Sequence, residues 1–84
     1  MLVDIGKARV LNVWEESGTD RDTGREFFYY RALLNVEGEP PLQVGVSQDD
    51  FESAKACVGK EGVCILNIDA QPGRKAKIRF CGMQ

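Results

Sequence analysis

The chain has 84 residues, with 11 Lys+Arg against 13 Asp+Glu, no His, three Cys and 43% hydrophobic residues. A chain of this length buries only about 60–65% of its extended surface on folding, so one thin core is all it can build, with little room for a shielded catalytic cleft. Its balance of apolar and charged residues excludes a disordered tail, a collagen-like chain and a coiled coil, and no apolar run approaches the ~18 residues of a membrane helix.

The first predicted element is a strand from Lys7 to Glu16, β-branched and aromatic, whose alternation fails around Leu11 to Trp14, where a bulge or a sharp coil would reconcile it. Ser17 to Arg25 packs turn formers and two glycines into a polar stretch that reads as a mobile, solvent-facing loop, with Gly18 and Gly24 supplying its flexibility. A second strand covers Glu26 to Val36. Its even positions, Phe28, Tyr30, Ala32, Leu34 and Val36, suit a buried face, and its odd positions put Phe27, Tyr29 and Arg31 on the other. After Glu37-Gly38-Glu39-Pro40-Pro41 turns the chain, Leu42, Val44 and Val46 alternate in a short third strand. Ser47-Gln48-Asp49-Asp50 is an S-x-x-D helix start, followed by Phe51, Ala54 and Val58 at helical spacing, which predicts one helix over 48–58. Val63 to Asp69 is the fourth strand, with Cys64, Leu66 and Ile68 on one side. Gln71-Pro72-Gly73-Arg74 turns into a fifth strand, Lys75 to Cys81, whose Lys75, Lys77 and Arg79 form a basic row of period two.

Three strands, a helix and two strands, read as a single domain over residues 1–84, predict an all-β fold: a five-stranded OB-type Greek-key barrel with its short helix between the third and fourth strands. An SH3-like barrel, the nearest competitor, has no natural place for that helix. Cys57, Cys64 and Cys81 are odd in number and contain no C-x-x-C, so they predict buried thiols in a reducing compartment, without a disulfide framework or a zinc site. Met1 to Asp4 lacks the basic start and apolar core of an export signal, so the expected location is cytoplasmic, in a bacterial host's cytoplasm if the chain is viral.

Catalysis is not expected. Without His there is no Ser-His or Cys-His pair, and the adjacent carboxylates Glu15-Glu16, Asp20 with Asp22, and Asp49-Asp50 sit where solvation or capping explains them. Asp20-Arg21-Asp22 lacks the Gly and distal Glu of a calcium loop, so neither a metal nor a cofactor is expected. A net charge of -2 argues against a polyanion ligand. Its distribution argues the other way, since residues 60–84 carry five cationic and two acidic side chains, a local net of +3. Phe27 and Tyr29 would offer stacking platforms with Arg31 beside them. Lys75, Lys77 and Arg79 would follow a phosphate backbone, and Arg21 and Arg25 on the long loop would close over a strand. Each feature has a plainer account: the aromatics as packing under the loop or a dimer seam, the Lys/Arg row as protection of an exposed sheet edge. Trp14 reads as core or interface rather than as a stacking residue. The predicted function is therefore binding of single-stranded nucleic acid without sequence preference, DNA and RNA not distinguished, with no membrane or small-molecule ligand. The alternative is a small protein-interaction module using the aromatic strand face.

The stretches Ser17-Gly18-Thr19-Asp20-Arg21, Gly24-Arg25-Glu26-Phe27 and Tyr29 to Glu37 resemble the DNA-binding wing of the gene V protein family, the single-stranded DNA-binding proteins of filamentous bacteriophages. Val63 to Phe80, with its Gln71-Pro72-Gly73-Arg74 tip, is similar to the closing hairpin through which that family dimerises. The resemblance covers about two thirds of the chain. It implies an OB-type homodimer that coats phage single-stranded DNA cooperatively during replication, with Arg21, Arg25 and Phe27 at the wing contacts and Arg79 at a basic contact on the last strand. The chain departs from the family in its longer helix and its net acidity. Carboxylates at Asp20, Asp22 or Glu26 beside the groove would weaken binding.

Overall fold

A computed structural model describes residues 1–83 and gives five strands, β1 (Leu2–Thr19), β2 (Glu26–Val36), β3 (Leu42–Val46), β4 (Glu61–Asp69) and β5 (Lys77–Met83). They close on themselves in the order β1-β2-β3-β5-β4, with β4 returning to β1. One 3-10 turn, Gln48–Asp50, runs into the single helix α1, Phe51–Ala56, between β3 and β4. This is the OB-type barrel expected from the order of elements, and the position of the helix removes the SH3-like alternative.

The long first strand makes closure possible because it serves two neighbours. Its first half pairs with β4 from Leu2↔Asn67 to Arg9↔Glu61, and its second half pairs with β2 from Ala8↔Val36 to Thr19↔Glu26. Two irregularities bend it between these tasks. One falls between Asp4 and Lys7, where Gly6 takes φ 81° and donates its N–H to the Asp4 carboxylate at 2.6 Å. The other falls between Val10 and Asn12, the bulge predicted near Leu11. The strand also begins earlier and ends later than the predicted Lys7–Glu16 span.

Inward side chains stack in consistent register: Tyr30, Val46, Phe80 and Leu66 occupy one row across four strands, and Val13, Ala32 and Val44 the next. Phe80, Leu34, Val10 and Cys64 are the largest fully buried side chains. Helix α1 closes one end of the barrel, burying Ala54 and setting the Phe51 ring 4.2 Å from that of Tyr30. The predicted cap sits on the 3-10 turn that leads into it, the Ser47 hydroxyl accepting from the Asp50 N–H at 3.3 Å, while Asp50, the N-cap of α1 itself, makes no side-chain cap. The helix stops before Val58, however. Val58 is exposed and bridges Val10, because Gly59 N–H donates to the Val10 carbonyl at 2.8 Å and turns the chain back toward the sheet.

Three further expectations are corrected. Ser17, Gly18 and Thr19 are strand, not loop; the connection is only Asp20 to Arg25, pinned by Asp20 N–H to the Arg25 carbonyl at 2.9 Å and by the Asp20 carboxylate, which accepts from Asp22 and Thr23 N–H. The last strand starts at Lys77, so Lys75 lies in the hairpin connection, after a Gln71–Arg74 turn closed at 3.2 Å with Gly73 at φ 76°. Of the cysteines only Cys64 is fully buried; Cys57 is half-buried and Cys81 exposed beside an irregularity in the β4–β5 ladder. Burial pushes the Cys64 thiol pKa up, with a smaller contribution from Cys57.

Candidate nucleic-acid interface

β2 is longer than β3, and the consequence shapes the site. The last β3 partner of β2 is Val46, opposite Tyr30, so Glu26 to Tyr29 pair with β1 alone and rise from the barrel as a two-stranded ribbon. Neither face of that ribbon is covered by a second layer. Phe28, expected inside, is consequently 57% exposed.

On the ribbon's outer face the cross-strand pairs are Trp14↔Arg31, Glu16↔Tyr29 and Gly18↔Phe27. The β2 members form a continuous ladder. The rings of Phe27 and Tyr29 stack with centroids 5.7 Å apart and planes 16° from parallel, and the Arg31 guanidinium lies 5.0 Å from the Tyr29 ring centre. Phe27 and Tyr29 stay 45% and 36% exposed, so they are neither tucked beneath the loop nor sealed in the core. Gly18 serves the ladder by its lack of a side chain: a Cβ there would meet the tip of the Phe27 ring at 2.5 Å. Its role is to seat that ring, not to loosen a loop.

The same row continues around the barrel as Arg31↔Gly45↔Arg79↔Asn67. Two strand steps, about 10 Å, separate the Arg31 and Arg79 backbones. Between them Gly45 contributes no side chain, which leaves a shallow depression bordered by Tyr29, Arg31, Lys77 and Arg79. The rings and the cations therefore emerge on one outer face. Arg79 has strand neighbours on both sides, β3 at Gly45 and β4 at Asn67, so protection of an exposed edge does not account for it. Lys77 pairs only with Asp69 of β4, and that account still fits it.

The remaining predicted residues lie farther out. Arg21 and Arg25 are exposed in the turn at the ribbon's tip, and Lys75 borders a separate small cleft with Asp69, Gln71, Arg74 and Lys77. Of the suspected carboxylates, Glu26 borders a cleft together with Phe27, Tyr29 and Arg79 and so lies beside the candidate contacts, while Asp20 is occupied in the turn.

Trp14 and Glu16 also stand on this face. Trp14, expected in the core or an interface, is half-buried on the outer face, and its indole N–H donates to Glu16 Oε1 at 2.9 Å. Glu16 also accepts from Arg31 Nε, at 3.3 Å from Oε2. The Trp14 hydrogen bond, with lesser help from Tyr29 and Arg31, holds the Glu16 carboxyl below its ordinary range against a partial desolvation. Glu16 thus stays anionic in the middle of an otherwise aromatic and cationic face. The signal for it was cross-strand register, which a single sequence does not display. Elsewhere, Lys7 and Arg9 both pair with Glu61 at 3.3 and 3.2 Å on another side of the barrel, lowering the Glu61 pKa.

No protein-family model matches the chain, and no curated protein or solved structure matches it. Among the described residues no cluster of metal-ligating side chains is present, and no helix is long and apolar enough to cross a membrane.

The Gly45 floor can be tested directly. Its absent Cβ would stand 3.4 Å from the Ile78 carbonyl oxygen and 3.7 Å from Arg79 Cγ, ordinary contact distances, so a side chain fits locally but rises into the depression. Gly45→Leu is expected to leave the melting temperature within a few degrees of the parent while weakening oligonucleotide binding about tenfold, measured by fluorescence anisotropy, a loss on the scale of one stacking contact. Unchanged binding would mean that no ligand crosses this floor.

Proposed function

We propose that this chain is a non-enzymatic binder of single-stranded nucleic acid, DNA in the first instance, which stacks bases on Phe27 and Tyr29 and takes phosphates at Arg31, Lys77 and Arg79. The observation that supports this most is the register Arg31↔Gly45↔Arg79, which sets the aromatic ladder and the cationic tips on opposite banks of one side-chain-free floor. Base stacking is worth about 1–3 kcal/mol per ring and tolerates any sequence, and the cations supply an attraction that needs no base identity. The chain's net charge of -2 is compatible with this, because a local cationic bank acts over a Debye length of about 8 Å and the acidic residues elsewhere are screened from it. The resemblance to the gene V protein family carries the further proposal of a two-fold dimer coating a phage DNA strand.

The discriminating measurement is a titration of oligo-dT at several salt concentrations, followed by Trp14 fluorescence. With three phosphates neutralised, log K against log salt should have a slope of about −2, steepening toward about −3.5 if Arg21 and Arg25 at the tip also engage. A flat dependence, or no binding at low salt, rejects the reading.

A second reading has its own observation. Phe28 lies on the opposite face of the ribbon from the ladder, and the nucleic-acid reading gives it no role; it borders a cleft with Ser47 and Gln48 that Phe27, Tyr29 and Arg79 border as well. A protein partner seated there would bind with little salt dependence.

A further inference from the structure

The anion at the centre of the face is the feature that a sequence-blind binder does not need. Phosphate avoids a carboxylate, and every cation that borders the depression other than Arg31 lies on the β5 side of Gly45, while Glu16 lies on the β1 side of Tyr29. A strand crossing this face is therefore oriented across the sheet. Its phosphates run along Lys77 and Arg79, and a base that takes the place of the Arg31 guanidinium over Tyr29, whose ring already stacks with Phe27, points its outer edge toward Glu16, one strand spacing, about 5 Å, away. The carboxylate is held in place for such an edge. Trp14 Nε1 takes one hydrogen-bonding direction on Oε1, Arg31 Nε one on Oε2, and the Tyr29 hydroxyl adds a lesser contact; a carboxylate offers about four such directions, so a base edge that uses two of them takes over the tyrosine's place. The Glu16 side chain is 35% exposed, open to a ligand from the outer face.

We infer that Glu16 is a specificity-determining residue that favours guanine at one position of the bound strand. Guanine is the only unmodified base whose Watson–Crick edge presents two adjacent donors, N1–H and the 2-amino group, matching the two oxygens of one carboxylate. Thymine offers a single N–H flanked by carbonyls that the anion repels; cytosine and adenine offer only an amino group next to a ring acceptor. Unpaired bases are read on this edge, and a good bidentate pair discriminates by about one to two orders of magnitude. The inference rests on the single-stranded binding proposed above and adds one base preference to otherwise sequence-tolerant stacking.

The test compares three short oligo-dT strands on the unmodified chain by anisotropy: all thymine, one central guanine, and one central inosine, which keeps N1–H and lacks the 2-amino group. The guanine strand is expected to bind about tenfold more tightly than all-thymine, with inosine between them. E16Q, whose amide donates where the carboxylate accepted, should erase this ranking while strengthening binding to all-thymine, because an anion has left the face. Equal affinities of the unmodified chain for the three strands, with binding intact, overturn the assignment to Glu16 and leave the proposed function standing. A ranking that survives in E16Q overturns it as well. Failure of every strand to bind removes the assignment together with the function on which it rests.

Discussion

Truncating both rings of the ribbon, Phe27→Ala together with Tyr29→Ala, is expected to weaken binding to single-stranded DNA about thirtyfold or more, from two stacking platforms worth about 1–3 kcal/mol each. The loss should fall short of the sum of the single substitutions, because each of them already breaks the contact between the two rings. Tyr29 is the common member of both contacts in the ladder, touching Phe27 at 5.7 Å and carrying the Arg31 guanidinium at 5.0 Å, so its removal also frees Arg31 to turn fully toward Glu16. Stability should change little, because neither ring is sealed in the barrel and the two residues pair only with β1. Anisotropy titrations paired with urea unfolding separate the two effects. A double variant that binds like the parent would remove stacking from the mechanism, whatever the cations do.

The largest effect on stability should come from Phe80. It is buried between Val46 of β3 and Leu66 of β4, at the seam where the parallel β3–β5 pairing closes the barrel. Phe80→Ala should cost about 3–5 kcal/mol through lost burial and the cavity left behind. A domain of this length has a total stability of only about 4–13 kcal/mol, so the variant should melt at least about 15 °C lower or fail to fold. Phe28→Ala provides the contrast: the same side chain removed from a 57% exposed position should change stability by about 0.5 kcal/mol or less. Urea melts of the two variants giving similar losses would contradict the placement of either ring.

These two phenylalanines also mark what could be read from the chain. Phe80 alternates with the basic row of Lys77 and Arg79 in a strand paired on both sides, and it lies on the opposite, buried face. Phe28 belongs to an equally regular alternation with Tyr30, Ala32 and Leu34, yet it lies outside the barrel because β3 ends opposite Tyr30. Alternation states which side of a strand a residue occupies; it does not state whether anything covers that side. Ser17 to Thr19 failed in the reverse sense. A ribbon wet on both faces needs no apolar residues, so this part of β1 looks like loop until its pairing with Glu26 to Phe28 is known.

The candidate site divides similarly. Phe27, Tyr29 and Arg31 share a face by parity within one strand, and Lys77 and Arg79 do so within another; both sets were legible, as were the barrel, the helix between β3 and β4, the Leu11 bulge and the Pro72-Gly73 turn. Each rests on interactions between neighbours in sequence, where backbone geometry leaves few options. The opposition of Arg31 and Arg79 across Gly45, the seating of Phe27 on Gly18, and the clamping of Glu16 by Trp14 and Arg31 depend on register between strands far apart in the chain. Register is fixed when the barrel closes and its two bulges choose which residues face one another, so only the folded molecule decided them.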